Sequence, residues 1–151
     1  MNYIRITKEN IDKEHICCAM SGKQSLAKKD WLKHRFDEGL VFYRSEERGK
    51  CFIEYIPAEN AWVPIKADGY LYINCLWVAG SMKGHGYSKD LLSECIKDAE
   101  AQGSKGLCIL SAEGRKREFY GKGTPFLCLL RKFFVPRKLD TVVDVFPARI
   151  G

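Results

Sequence analysis

Cys75-Leu-Trp-Val-Ala-Gly-Ser-Met-Lys-Gly-His-Gly-Tyr-Ser-Lys-Asp-Leu-Leu92 runs from an apolar strand through a glycine-containing turn directly into an amphipathic helix. That order brings free backbone N–H groups and the positive end of a helix dipole to one point, which suits an anion such as phosphate. Glycines at 84 and 86 let the backbone approach the anion where a side chain would block it. Two familiar phosphate loops are excluded by spacing. The lysine precedes the glycines, so no G-x-x-x-x-G-K-[ST] is formed, and no G-x-G-x-x-G with a ribose-binding acid follows. A plain tight turn is the simpler reading of the same residues.

The flanking elements set the fold. Tyr70 to Val78 is apolar on both faces apart from Asn74, which predicts a central strand. The following helix gathers Tyr87, Leu91, Leu92, Cys95, Ile96 and Ala99 on one side and ends at Gly103, and Gly106–Leu110 is a second buried strand. Residues 70–110 therefore read as one βαβ crossover. Upstream, Tyr3–Thr7 predicts a short strand and Asn10–Met20 a helix through Ile11, Ile16 and Ala19. A second helix, capped by Ser25, carries Leu26, Trp31, Leu32 and Phe36 and stops at Gly39. Leu40–Tyr43 and Cys51–Ile56 read as a hairpin, Ala61–Ile65 as an extension of the sheet, and Asp68-Gly69 as a hairpin turn.

Ser81-Met82-Lys83-Gly84-His85-Gly86, after a strand ending Leu76-Trp77-Val78, resembles the acetyl-CoA signature of the GCN5-related N-acetyltransferase (GNAT) superfamily, [Q/R]-x-x-G-x-[G/A]. Both glycines match, Lys83 adds a basic group, and Ser81 stands where the family has Gln or Arg. The element order β, α, α, β, β, β, α, β is similar to that family's. The resemblance implies a mixed α/β fold: a mostly antiparallel central sheet flanked by helices, as in acyl-CoA N-acyltransferases. It spans roughly residues 1–113. Residues 114–151 form a divergent basic C-terminal segment, and 1–151 is expected to be a single N-acetyltransferase-like domain, without the small further domain of some similar bacterial enzymes.

The resemblance also implies a chemistry. Acetyl-CoA is the expected co-substrate, with its pyrophosphate on the N–H groups of residues 82–88 and contacts from Lys83, Gly84, His85, Gly86, Tyr87 and Ser88. The backbone of Leu76, Trp77 and Val78 would pair with the pantetheine arm, and one N–H there would polarise the acetyl carbonyl. The plain reading of those three residues is core strand, and both can hold. His85 is read as a phosphate or solvent contact, not as a base. The expected reaction is acetyl transfer to a primary amine by direct attack in a ternary complex. It needs a base for the amine and an acid for the leaving thiolate.

The family's glutamate on the strand before the glycine loop is missing, since Tyr70–Leu76 holds no carboxylate. Glu54, within Phe52-Ile-Glu-Tyr-Ile56, is the first substitute. Its plainer reading is the exposed face of an edge-side strand. Glu59 and Asn74 are weaker candidates, Asn74 only to orient. Tyr120 in Phe119-Tyr-Gly-Lys-Gly123 is similar to the family's tyrosine acid, against a plainer reading as a surface residue. Trp62, Tyr55 and Tyr70 could line an aromatic acceptor pocket, though aromatics in strands are ordinarily core.

Composition sets outer limits. A chain of 151 residues is one domain with a proper core. No apolar run reaches membrane-spanning length and Met1–Arg5 is not a signal peptide, so a cytoplasmic protein without a membrane partner is expected. Seven cysteines without a C-x-x-C pair favour reduced, buried thiols over disulfides or zinc, and no metal is expected. Cys17-Cys18 is a vicinal pair with a redox role as its lesser reading. Residues 1–113 balance 16 basic against 16 acidic residues, so the net +6 lies in 114–151. Interleaved Phe126, Leu127, Leu129, Leu130, Phe133 and Phe134 make that segment read as a packed element with a basic face rather than a nucleic-acid arm. An N-acetyltransferase ranks first, acting on a small-molecule or peptide amine, with a homodimer left open. A catalytically inactive CoA-binding sensor or interaction module ranks second, and a nucleic-acid binder third.

Overall fold

The computed structural model describes residues 1–16, 22–48, 50–63 and 65–109, together with the backbone of 111–112 and 128–129. A five-stranded sheet runs in chain order from β1 (Tyr3–Ile6) through β2 (Val41–Ser45), β3 (Cys51–Pro57) and β4 (Tyr70–Val78) to β5 (Gly106–Ile109). The first three pairings are antiparallel and β4·β5 is parallel. Helices α1 (Gly22–Phe36) and α2 (Tyr87–Ala101) cover opposite faces, and a short antiparallel pair, β6 (Ser111–Ala112) with β7 (Cys128–Leu129), follows. This is the mixed, mostly antiparallel architecture expected. No described helix is long and apolar enough to cross a membrane.

Two cores sandwich the sheet. On the α1 side Leu32, Phe42, Phe52, Ile56, Tyr70 and Tyr72 pack together, with Phe42 and Phe52 stacked at 5.2 Å. On the α2 side Ile53, Tyr55, Leu71, Leu91, Cys95 and Ala99 close up. The three helical residues recur at i, i+4 and i+8, so they form one stripe. α2 ends as its sequence requires: Gly103 adopts φ +68° and the Ser104 N–H reaches back to the Ala99 carbonyl.

Two details of β4 position the site. Its register against β3 steps from Glu54↔Cys75 to Tyr55↔Ile73, so Asn74 is an extra residue, a β-bulge. Its pairing with β5 covers only Tyr70–Ile73. Beyond that point, among the described residues, Cys75–Val78 pair with β3 alone and leave their other backbone edge open.

Four sequence expectations differ from the structure. Among the described residues of 10–20, Asn10 to Glu14 form turns rather than a helix. The Asn10 side chain accepts the Thr7 N–H at 2.8 Å and donates to the Arg5 carbonyl at 2.9 Å, and this local bonding competes with a helical ladder. Ile11 and Ile16 are buried as expected, whereas Ala19 and the Cys17-Cys18 pair lie outside the described residues. Ser25 lies inside α1, which begins at Gly22, and Leu26 is exposed. Among the described residues of 61–65 there is no strand: the Ile65 N–H bonds the Val63 carbonyl at 2.8 Å, a local closure that no ladder accommodates. Asp68-Gly69 does turn, with Gly69 at φ +84°, but it ends a long connection instead of a tight hairpin.

Candidate functional site

The glycine turn carries the geometry its sequence implies. Gly84 and Gly86 sit at φ +85° and +83°, a region in which side-chain-bearing residues are strained. A Cβ added at either would meet nothing within 4 Å, so the turn faces open space and not packed protein. Gly86 is the N-cap of α2 and supplies no capping side chain. The first helical N–H groups thus lack the usual cap. Among the described residues, the N–H groups of Gly84, His85 and Gly86 donate to no backbone carbonyl.

These groups open onto a cleft of about 430 Å³. Leu76, Trp77 and Val78 form one wall from the open stretch of β4. Met82, Lys83, Gly84, Gly86, Tyr87 and Ser88 form the other. Of the nine cofactor residues expected, His85 alone does not line it; its exposed ring stacks on Tyr87 at 5.7 Å. Met82 is the lining residue that sequence reading did not single out, although it lies between Ser81 and Lys83 of the quoted motif. The fit to a CoA-like group is therefore physical: N–H donors and Lys83 for phosphates, an open strand edge for an extended amide arm, and cradling glycines.

A second cavity of about 280 Å³ lies on the α1 side of the sheet. Glu54 and Asn74 line it, along with Trp31, Trp62 and Tyr72. Glu54 is not on an exposed edge: β3 is flanked by β2 and β4, and the residue is 3% exposed. Its carboxylate accepts from Lys28 Nζ at 3.0 and 3.3 Å and from Asn74 Nδ2 at 2.9 Å. The bulge is what aims Asn74 at it. Three hydrogen bonds hold a buried charge that would otherwise be costly.

The other candidates separate. Glu59 accepts the Gly69 N–H at 2.5 Å and so fixes the turn before β4. Tyr55 is fully buried, with its hydroxyl on Asp98 of α2, and burial followed by that bond raises its pKa far above the ordinary range. Tyr70 belongs to the α1-side core. Of the three aromatic residues expected at an acceptor pocket, only Trp62 reaches it. Trp31 and Tyr72 take the other two places; the sequence marked both only as apolar helix and strand positions. Tyr120 lies outside the described residues. Cys51, Cys95 and Cys108 are free and buried, and burial holds each thiol protonated, Cys108 up to about 12. Cys75 is also free.

Comparison with known proteins gives a consistent picture. The model of the Acetyltransferase (GNAT) family matches residues 9–122. The uncharacterised N-acetyltransferase YoaP of Bacillus subtilis (strain 168) is 56% identical over 121 residues, 78% of this chain and 47% of YoaP. The chain thus spans about half the length of that relative. Among solved structures, AAC(6′)-Iy in complex with a CoA bisubstrate analogue superposes with TM-score 0.56 at 10% identity, covering 87% of this chain and 97% of the other. A predicted acetyltransferase from Clostridium acetobutylicum, solved with acetyl-CoA, gives 0.53 at 13%, covering 85% and 94%. At such identities the likeness is one of fold.

Proposed function

The chain belongs to the acetyltransferase (GNAT) family, and on that premise we propose that it is an acetyl-CoA-dependent N-acetyltransferase acting on a primary amine. The observation that carries this is the cleft in which the open edge of Leu76–Val78 faces the glycine turn and the uncapped start of α2. When bound, acetyl-CoA supplies the acetyl group as a thioester. The chain's residues do the remainder. The N–H groups of residues 84–88 and the ammonium of Lys83 hold the phosphates. The backbone of Leu76, Trp77 and Val78 fixes the pantetheine arm and donates toward the acetyl oxygen.

Glu54 takes the proton from the acceptor, directly or through water, on the face of β3 beside the bulge. For this, one carboxylate oxygen must leave Lys28, which at present engages both. Asn74 Nδ2 keeps the other oxygen oriented. The protonated state of the buried thiols of Cys51, Cys95 and Cys108 supports direct attack over a covalent route through them. Tyr120 is the proposed acid for the thiolate, and residues 114–151 are proposed to belong to the same single domain.

The test is a thermal-shift titration with acetyl-CoA followed by CoA release with a panel of primary amines. At 100-fold excess over Kd, binding stabilises by about 2.7 kcal/mol. A shift with no CoA release for any amine would favour the inactive CoA-binding module. No shift in folded protein would end both readings.

A further inference from the structure

We propose that the cavity beside Glu54 selects an acceptor with a single positive charge on a flat apolar body, and that Lys28 holds the place of that acceptor's ammonium. The inference rests on reading the chain as an N-acetyltransferase. The Lys28 Nζ sits 3.0 Å from Glu54 Oε2 and 4.2 Å from the centre of the Trp31 ring. A buried carboxylate and an aromatic face are together the surroundings a primary ammonium prefers. The chain's own lysine therefore displays the recognition chemistry of the site. Its side chain is 24% exposed against 4% for Glu54, so it can swing to solvent while the carboxylate cannot.

Charge and shape narrow the acceptor further. Glu54 is the one carboxylate among the described lining residues. Arg35 also lines the cavity, paired with Glu38 at 2.6 Å and stacked on the Trp62 ring at 4.5 Å. A second positive charge on the acceptor would face that guanidinium with no carboxylate of its own. The walls instead suit an apolar body. Trp62 is 70% exposed and meets Trp31 edge-on at 6.0 Å, with Tyr72 on the sheet side. A tryptophan left so exposed beside a cavity offers rigid contact area to a ligand. Polyamines and polycationic sugars fit this arrangement poorly.

Isothermal titration of the full chain with phenethylamine and with spermidine, each with and without coenzyme A, tests the proposal separately from catalysis. Phenethylamine should bind at least about 10-fold more tightly than spermidine. Lys28→Met and Lys28→Gln should both tighten phenethylamine binding by about 5-fold or more, because the self-occupied fraction of the cavity is removed. Glu54→Gln should abolish it. Equal or tighter spermidine binding, or weaker phenethylamine binding in both Lys28 variants, would overturn the proposal. Absence of phenethylamine binding with and without coenzyme A would overturn it too. An acetyl-CoA thermal shift alongside that last result would leave the N-acetyltransferase reading standing, whereas amine binding without any acetyl-CoA shift would remove that reading and spare the cavity.

Discussion

The cleft at the start of α2 is lined by two short stretches of neighbouring residues, Leu76–Val78 and, His85 apart, Met82–Ser88, and offers mainly backbone donors. The cavity beside Glu54 gathers side chains from α1, β3, β4 and the loop after β3, and offers a carboxylate, amides and aromatic rings. The first should tolerate changes of side chain but not of backbone conformation. The second should respond the opposite way. A common anionic handle can be held by main chain alone, whereas choosing one amine among many needs particular side chains in particular places.

The largest effect should come from replacing Gly84 and Gly86 together by valine. Each forces a β-branched residue to positive φ, about 1–2 kcal/mol per position. Melting without ligand should show that loss, and the acetyl-CoA shift should vanish. A retained shift would mean that side chains, not the turn, hold the co-substrate. Next comes Glu54→Gln, expected to lower kcat about 100-fold or more while leaving the acetyl-CoA shift in place. Loss of both would couple the two sites and break the contrast between them. Lys83→Ala is smaller: acetyl-CoA should weaken by roughly 3- to 10-fold, with the difference shrinking as salt rises. A salt-independent loss would assign Lys83 a packing role.

The smallest effect lies outside both sites. Among the described residues neither ring nitrogen of His15 has a partner, and burial, then Arg44 and Arg48, lowers its pKa below the ordinary 6.5. The folded chain therefore resists a proton that the unfolded chain accepts. His15 contributes stability present above about pH 6.5, and this is lost as the pH falls through its lowered folded value. Denaturant melts between pH 7 and 5 should show His15→Gln with a shallower slope than the parent. An unchanged slope would move the acid sensitivity away from His15.

What was legible in the sequence divides along the same line. The glycine turn, the central strand and the crossover helix are contiguous, and their periodicity and conformational demands are local, so residues 70–109 read correctly. Asn10–Glu14 and Ala61–Val63 misled because a side-chain bond from Asn10 and a local closure at Val63 override apolar patterning. The Glu54 cavity was only partly visible. Glu54 stood out as a charge in an apolar strand, but Lys28 and Trp31 look like ordinary helix residues until α1 crosses the sheet. No local spacing announces a contact between positions 28 and 54. Tyr120 and, apart from the backbone of 128–129, the basic stretch lie outside the described residues, and their assigned roles stay with the sequence.

The extra residue at Asn74 has a further consequence for comparing this chain with others. Tyr70 and Tyr72 face the α1 side, and so do Cys75 and Trp77, so odd and even positions exchange roles midway along one strand. Any gap-free alignment to a strand without that residue would assign every position after it to the wrong side. Because both sides are apolar, hydropathy would not flag the error. Deleting Asn74 should for the same reason restore strict alternation, leaving Cys75–Val78 on their present sides while removing the amide that faces Glu54. The bulge is a frameshift written in geometry, visible in the pairing and hidden from the apolar pattern.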